Sequence, residues 1–171
     1  MKLPRTLRLD PSDRFVFDRA AEPGEWAVSG AFVFADLDPA TLSHKARVAM
    51  RSGFLGIESL GWSTLAEVAE GDFDTVAAQL ATQLRAHFGA PDDEAALAAA
   101  QDEVNFAASL CDLPLGTVIA VQRTTTPEGL QERFRTLQPR TAGGPPVFAL
   151  IQTDEEDPDH IDLTTLLGNS E

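Results

Sequence analysis

The feature that most constrains the fold is a nearly unbroken helical repeat of apolar residues across positions 73–88. Apolar side chains recur there every three or four residues, which places them on one face of an α-helix. The residues of this stripe are Phe73, Val76, Ala77, Leu80, Ala81, Leu84 and Phe88. A second helix is predicted over 93–111, with the stripe Leu97, Ala100, Val104, Ala107 and Cys111. The short connection between them predicts an antiparallel helical hairpin.

The rest of the chain predicts a sheet for this hairpin to cover. Strands are expected over 2–9, 14–18, 31–35, 54–58, 62–70, 118–121 and 147–151. One shorter helix is expected over 39–52, with Asp38 as its N-cap, and another after Pro127, carrying Leu130, Phe134 and Leu137. The expected fold is α+β: a mixed, mostly antiparallel sheet with an antiparallel pair of long helices and two shorter helices packed on it.

The chain of 171 residues predicts one domain over 1–153, followed by an acidic tail over 154–171. The tail contains no Lys or Arg, and residues 154–162 are rich in oxygen ligands. Their spacing lacks the central Gly and terminal Glu of a calcium loop, so we expect a solvated tail and no metal site.

The charge is unevenly distributed along the chain. The net charge is −14, yet residues 1–51 hold eight Lys/Arg against seven Asp/Glu, whereas residues 52–171 hold five against 20. An acidic surface repels phosphate backbones and anionic headgroups, which disfavours nucleic acid and membranes as partners. The single cysteine excludes an internal disulfide, and residues 1–5 do not resemble the start of a secretory leader. Both observations favour the cytoplasm.

Motifs typical of abundant enzyme classes are missing. A Gly-Trp-Ser sequence begins at Gly61 like a nucleophile elbow, but Leu65 stands where the second glycine belongs. Gly53, Gly56 and Gly61 match neither phosphate-binding spacing, and no two histidines have metal-ligand spacing. The sequence therefore predicts no catalytic residue, no metal and no cofactor.

The shorter helix expected over 39–52 carries a concentrated positive face. His44, Arg47 and Arg51 lie at positions i, i+3 and i+7, so a helix places them on one side. This face could bind a small anionic ligand or an acidic patch on a partner. It could equally pair with the acidic half of the same chain, or stabilise the C-terminal end of its helix.

Four single residues have both a functional and a structural interpretation. His87 follows Leu80 by seven residues, so it could act in a pocket or be a partly buried histidine with one hydrogen bond. Trp26 and Trp62 could contact a partner, although core burial is the commoner fate of tryptophan. Cys111 lies at a helix C-terminus, which favours a buried apolar residue over a nucleophile.

Four segments carry a resemblance to a known family. They are FVFDRAAEPGEWAV (15–28), GAFVFAD (30–36), GFLGIES (53–59) followed by GWST (61–64), and FAASLC (106–111). Together they resemble a family of small uncharacterised alphaproteobacterial proteins, over most of the chain up to about Leu137. The resemblance implies a bacterial cytoplasmic protein of unknown function and supplies no catalytic residues.

Two functional hypotheses follow. The first is a non-enzymatic binding or accessory protein that uses the two long helices or the basic face around Arg47 to contact a protein partner or a second copy. The alternative is a small enzyme or ligand-binding domain with a pocket between sheet and helices, where His87, Glu67 or Glu103 act and a tryptophan lines the wall.

Overall fold

Two antiparallel sheets and four α-helices make up the part of the chain that the structure, a computed structural model, describes: residues 1–8, 13–139 and 148–151. The strands are β1 (Lys2–Leu7), β2 (Ala27–Val28), β3 (Phe54–Gly56), β4 (Trp62–Ser63), β5 (Leu65–Glu70), β6 (Val118–Thr126), β7 (Gly129–Pro139) and β8 (Phe148–Ile151). The larger sheet has the order β1-β5-β6-β7-β8 and the smaller one β2-β3-β4, with every strand pairing antiparallel. The predicted α+β class is confirmed.

The helices are α1 (Asp13–Val16), α2 (His44–Ser52), α3 (Phe73–His87) and α4 (Asp93–Ser109), and two 3₁₀ helices cover Ala31–Phe34 and Pro39–Thr41. The region predicted as one helix over 39–52 thus divides in two. Each part has its own N-cap: Asp38 accepts a hydrogen bond from the amide of Ala40, and Ser43 accepts one from the amide of Ala46.

The hairpin of long helices is present as predicted. Asp72 and Asp92 cap α3 and α4, and each carboxylate accepts a hydrogen bond from a first-turn amide. The inward stripe of α3 matches the prediction. In α4, Leu97 was expected to face inward but is 41% exposed, and Ala96 is fully buried instead. The small alanines let α4 approach its neighbours closely, so its buried stripe is Ala96, Ala100, Val104 and Ala107.

This hairpin packs on both sheets. Buried residues of α3 and α4 share one core cluster with Leu3 of β1, Val28 of β2 and Leu55 of β3. A second cluster lies between the sheets around Phe54 and Ile119. No helix in the described residues combines the length and apolarity needed to cross a membrane.

Two predicted strands are wrong. The segment 14–18 begins inside the short helix α1, and the segment 31–35 forms the first 3₁₀ helix. In the latter, the amides of Val33 and Ala35 donate to carbonyls three residues back, and the ring of Phe34 stacks on Trp62 at 5.1 Å. The alternation of Phe32 and Phe34 suggested a strand, but packing of these rings against helices and Trp62 favours a tight turn of helix.

The helix predicted after Pro127 is also wrong, because this segment is the strand β7. Pro127 and Glu128 form a two-residue turn between β6 and β7, closed by the pair Thr126↔Gly129. Gly129 has φ 124°, which L-residues rarely adopt. The spacing of Leu130 and Phe134 is four residues, which fits one face of a strand as well as one face of a helix.

Three further predicted strands have counterparts in the structure. The hairpin expected from 54–58 and 62–70 is formed by β3 and β4, after which β5 enters the larger sheet beside β1. The predicted strand over 147–151 corresponds to β8, at the edge of that sheet. The acidic tail over 154–171 and the domain boundary at 153 lie outside the described residues.

Two of the segments that carry the family resemblance, 15–28 and 53–59, meet around one buried carboxylate. Glu25 is 5% exposed, and its oxygens accept hydrogen bonds from the amides of Glu22, Glu58 and Ser59 and from the Ser59 hydroxyl, at 2.5–2.9 Å. Gly56 leaves the space that this carboxylate fills, because a Cβ there would lie 2.6 and 2.7 Å from its two oxygens. Gly56 therefore has a packing role, because its lack of a side chain leaves room for the carboxylate.

Replacing Gly56 with Ala should displace the Glu25 carboxylate from its donors. We expect Gly56→Ala to lower the free energy of unfolding by about 3 kcal/mol or more, measured by urea denaturation. Gly89→Ala is the control, because a Cβ there meets no atom within 4 Å and introduces only backbone strain at φ 73°, about 1 kcal/mol. Equal losses in the two variants would contradict this role for Gly56.

Candidate functional site

Arg123 lies buried beneath the C-terminal end of α2. Its Nη1 donates to the carbonyl oxygens of Gly53 at 2.8 Å, Met50 at 3.2 Å and Ala49 at 3.4 Å, and its Nη2 donates to the carbonyl of Ser29. The last carbonyls of a helix lack partners within the helix and carry partial negative charge. The guanidinium therefore binds the end of α2 and joins it to β6 and to the segment after β2.

Glu132 balances this buried charge from the neighbouring strand. It stands opposite Arg123 in the β6–β7 register, with 3.6 Å between Nε of the arginine and Oε2 of the glutamate. The Ser29 hydroxyl donates to both carboxylate oxygens, at 2.9 and 2.7 Å. Burial lowers the pKa of Arg123, and the charge of Glu132 opposes that shift.

Glu103, on α4, lies at the edge of this cluster and faces a cleft of about 390 Å³. Burial raises the pKa of the Glu103 carboxyl, the charge of Glu132 raises it further, and Arg123 partly opposes both. Most of the cleft wall is apolar and includes Phe32, Phe34, Leu37, Met50 and Leu130.

A second cleft, of about 580 Å³, opens between α2 and β6. Arg47 and Arg51 line it from the helix, and Gln122 and Thr124 line it from the strand. The two clefts adjoin, since both are lined by Pro39, Met50 and Thr125. We call the 580 Å³ space the basic cleft and the 390 Å³ space the apolar cleft.

The basic face predicted from the sequence divides at this site. His44, Arg47 and Arg51 are all exposed on α2, but only the two arginines line the basic cleft. Within residues 1–8, 13–139 and 148–151, the guanidinium group of neither arginine has a hydrogen bond or an ion pair. Pairing with the acidic half of the chain is therefore not seen among these residues.

Neither tryptophan lines either of the two clefts. Trp62 stacks on Phe34, and Trp26 lies beneath the guanidinium of Arg5, with 5.1 Å from Cζ to the ring centroid. Both indoles are half-buried and pack against the core cluster under the helical hairpin. These positions agree with the structural interpretation rather than with exposed contact residues.

His87 is exposed, which corrects its expected place in the inward stripe of α3. It is the last residue of the helix, and the following residue, Phe88, turns inward and packs edge-to-face on Phe32 at 5.3 Å. His87 lines neither cleft. Glu67, the other group considered for a pocket, is half-buried in β5 opposite Arg5 and also lies outside both clefts.

Cys111 is 1% exposed, and burial raises the pKa of its thiol to about 11. A thiol with this pKa is protonated at neutral pH and is a poor nucleophile, as expected for a buried apolar residue. Across the described segments, no group of three or more His, Cys, Asp or Glu is placed to hold a metal ion.

One family model matches the whole of the described part of this chain. The model of a family of unknown function, DUF6505, matches residues 1–155. The chain belongs to the DUF6505 family. The expectation of a family without a known function is thereby confirmed, and the membership supplies no activity. No curated protein and no solved structure matches the chain.

The polar cluster of this DUF6505 member was not predicted from the sequence, apart from Glu103. Arg123, Glu132 and Ser29 received no role, because the segment that contains Glu132 was assigned to a helix. A signal was present: the β-branched run of three threonines at 124–126 precedes a Pro-Glu-Gly turn, and a hairpin across that turn sets Arg123 opposite Glu132.

The raised pKa of Glu103 predicts a pH dependence of stability. Its ordinary pKa is 4.5, and its pKa in the folded state is raised. The protonated carboxyl group therefore stabilises the folded protein below pH 4.5, and this stabilisation is lost as the pH rises through the folded-state pKa. Glu103→Gln should therefore gain stability relative to wild type from about pH 4.5 upward, levelling off above the folded pKa.

Urea denaturation of both proteins from pH 4 to pH 8 measures this difference. Glu128→Gln removes the same charge from an exposed turn and controls for the change in net charge. If the difference in the free energy of unfolding between Glu103→Gln and wild type stayed constant with pH, the pKa of Glu103 would not be raised.

Proposed function

We propose that this DUF6505 member is a non-enzymatic binding protein that holds a small anion in the basic cleft. The observation that carries the proposal is the pair of exposed guanidinium groups of Arg47 and Arg51, which line one concave surface and have no partner among the described residues. They occur in a chain whose net charge is −14, where acidic side chains outnumber basic ones by 27 to 13.

Stabilisation of the helix does not account for this pair. Arg123 already places a guanidinium against the carbonyls of Ala49, Met50 and Gly53, so the C-terminal end of α2 has a cation without Arg47 or Arg51. Arg47 and Arg51 are four residues apart, and like charges at that spacing destabilise a helix by a few tenths of a kcal/mol. Binding an anion would remove this repulsion.

The lining of the basic cleft suits recognition more than catalysis. Two planar guanidinium groups match the geometry of carboxylate or phosphate oxygens, and Gln122, Thr124 and Thr125 add neutral hydrogen-bonding groups. The described residues that line this cleft include no carboxylate, imidazole or thiol. They therefore offer a ligand hydrogen-bond donors but no general acid or base.

The clefts also favour a small molecule over a protein as the ligand. Both fall within the roughly 300–1,000 Å³ typical of small-molecule sites. The proposal therefore combines the binding hypothesis with the alternative of a ligand-binding domain that has a pocket between sheet and helices. The pocket lies beside α2 rather than near His87. A protein partner or a second copy of the chain becomes the favoured ligand if none of the anions tested below binds.

We further propose that the protein works in the bacterial cytoplasm, in alphaproteobacteria, without nucleic acid or membrane partners. The resemblance of its sequence segments supports the origin. Its one cysteine, which is buried, is compatible with a reducing compartment. The excess of acidic residues supports the exclusion of nucleic acid and anionic membranes.

Calorimetric titration with inorganic phosphate, pyrophosphate and citrate, at fixed ionic strength, tests the anion site. We expect saturable binding by wild type and a loss of affinity of about tenfold or more for each of Arg47→Gln and Arg51→Gln, since a hydrogen bond to a charged group contributes about 1.5–3 kcal/mol.

Lys45→Gln is the matched control, because it removes one positive charge from the same helix outside the cleft. It should leave affinity within about twofold of wild type. Absence of saturable binding for all three anions, or equal weakening by Lys45→Gln, would refute the site.

A further inference from the structure

We infer that the ligand of this site is amphipathic: its anionic group binds Arg47 and Arg51, and its apolar body extends past Met50 into the apolar cleft. This inference rests on the proposed function and names the class of ligand. The shared lining of the two clefts by Pro39, Met50 and Thr125 makes them one continuous surface with two different halves.

Part of the wall of the apolar cleft is exposed to solvent in the described part of the chain. Leu37 is 47% exposed there, and the half-buried side chains of Phe32 and Leu130 line the same space. Exposed apolar area beside a polar rim is typical of a binding groove. An alkyl or aryl group seated on these residues would remove that area from water and bind through the hydrophobic effect.

The charged residues at the two ends of this continuous surface determine the orientation of the ligand. Glu103 is the ionisable residue among those that line the apolar cleft, and Arg47 and Arg51 line the basic cleft. A second anionic group would be repelled by Glu103, whose own surroundings include the charge of Glu132 and Asp102 as well as Arg123. The acidic group of a ligand therefore favours the arginine end, and its neutral part favours the end beside Glu103.

The ligand is a free small molecule rather than a lipid held in a bilayer. The chain carries 27 acidic residues, and a surface of this charge is repelled from anionic headgroups at distances up to about 10 Å at 0.1 M salt. The apolar cleft is also concave, which suits a single alkyl or aryl group more than a flat membrane surface.

A homologous series tests the inference: inorganic phosphate, butyl, hexyl and octyl phosphate, with 1-octanol as the neutral analogue, all below their aggregation limits. We expect the dissociation constant to fall about three- to fourfold for each added methylene until the cleft is filled. Octanol should bind more weakly than octyl phosphate by the factor that Arg47→Gln and Arg51→Gln together remove.

Leu37→Ser should weaken octyl phosphate binding about threefold or more and leave inorganic phosphate unchanged. Leu97→Ser is its matched control, because Leu97 is similarly exposed, at 41%, on α4 and lines neither the basic nor the apolar cleft. Circular dichroism spectra and melting temperatures would show that both variants are folded.

The outcomes separate the inference from the proposed function. Phosphate binding that depends on Arg47 and Arg51, with no gain from a longer alkyl chain, would overturn the inference and leave the anion site. Equal binding of octanol and octyl phosphate, unaffected by the arginine variants, would overturn the anion site. Equal effects of Leu37→Ser and Leu97→Ser, or tighter binding to vesicles of anionic lipid than to octyl phosphate, would also overturn the inference.

Discussion

The buried guanidinium of Arg123 is the interaction on which the site depends. It joins the carbonyls at the end of α2, the carbonyl of Ser29 and the carboxylate of Glu132, which come from three separate parts of the chain. A buried charge that loses its partners destabilises a protein by about 3–5 kcal/mol, whereas exposed ion pairs contribute about 0–1 kcal/mol. The placement of α2 over β6, and hence of the basic cleft, follows from this contact.

Arg123 supplies a cation at the C-terminal end of α2, and the guanidinium groups of Arg47 and Arg51 remain exposed. Both arginines line the basic cleft between α2 and β6, and the buried Met50 lines this cleft as well as the apolar cleft. The same cluster affects the apolar cleft, because the charge of Glu132 and burial together raise the pKa of Glu103. One polar cluster thus sets the geometry of the arginine end and the electrostatics of the carboxyl end.

The sequence predicted the local features of this arrangement but not the contacts between distant segments. The helical hairpin was predicted because its apolar spacing fits a helix and no other element, and the basic face was predicted because it lies within one helix. The spacing of Leu130 and Phe134 fits two periods, so β7 was missed, and Glu132 with it. The carbonyl groups that accept hydrogen bonds from Arg123 lie 70 to 94 positions away along the chain, a distance at which spacing carries no information.

Hydrogen exchange of Arg123→Met, followed by mass spectrometry, tests most directly whether Arg123 holds α2 in place. The account predicts loss of amide protection in α2 and in the segment after β2, with the α3–α4 hairpin keeping its protection. Arg85→Met, which removes an exposed ion pair with Asp93, should leave the protection of α2 unchanged. Wild-type protection of α2 in Arg123→Met, or a uniform loss across the whole chain, would contradict the account.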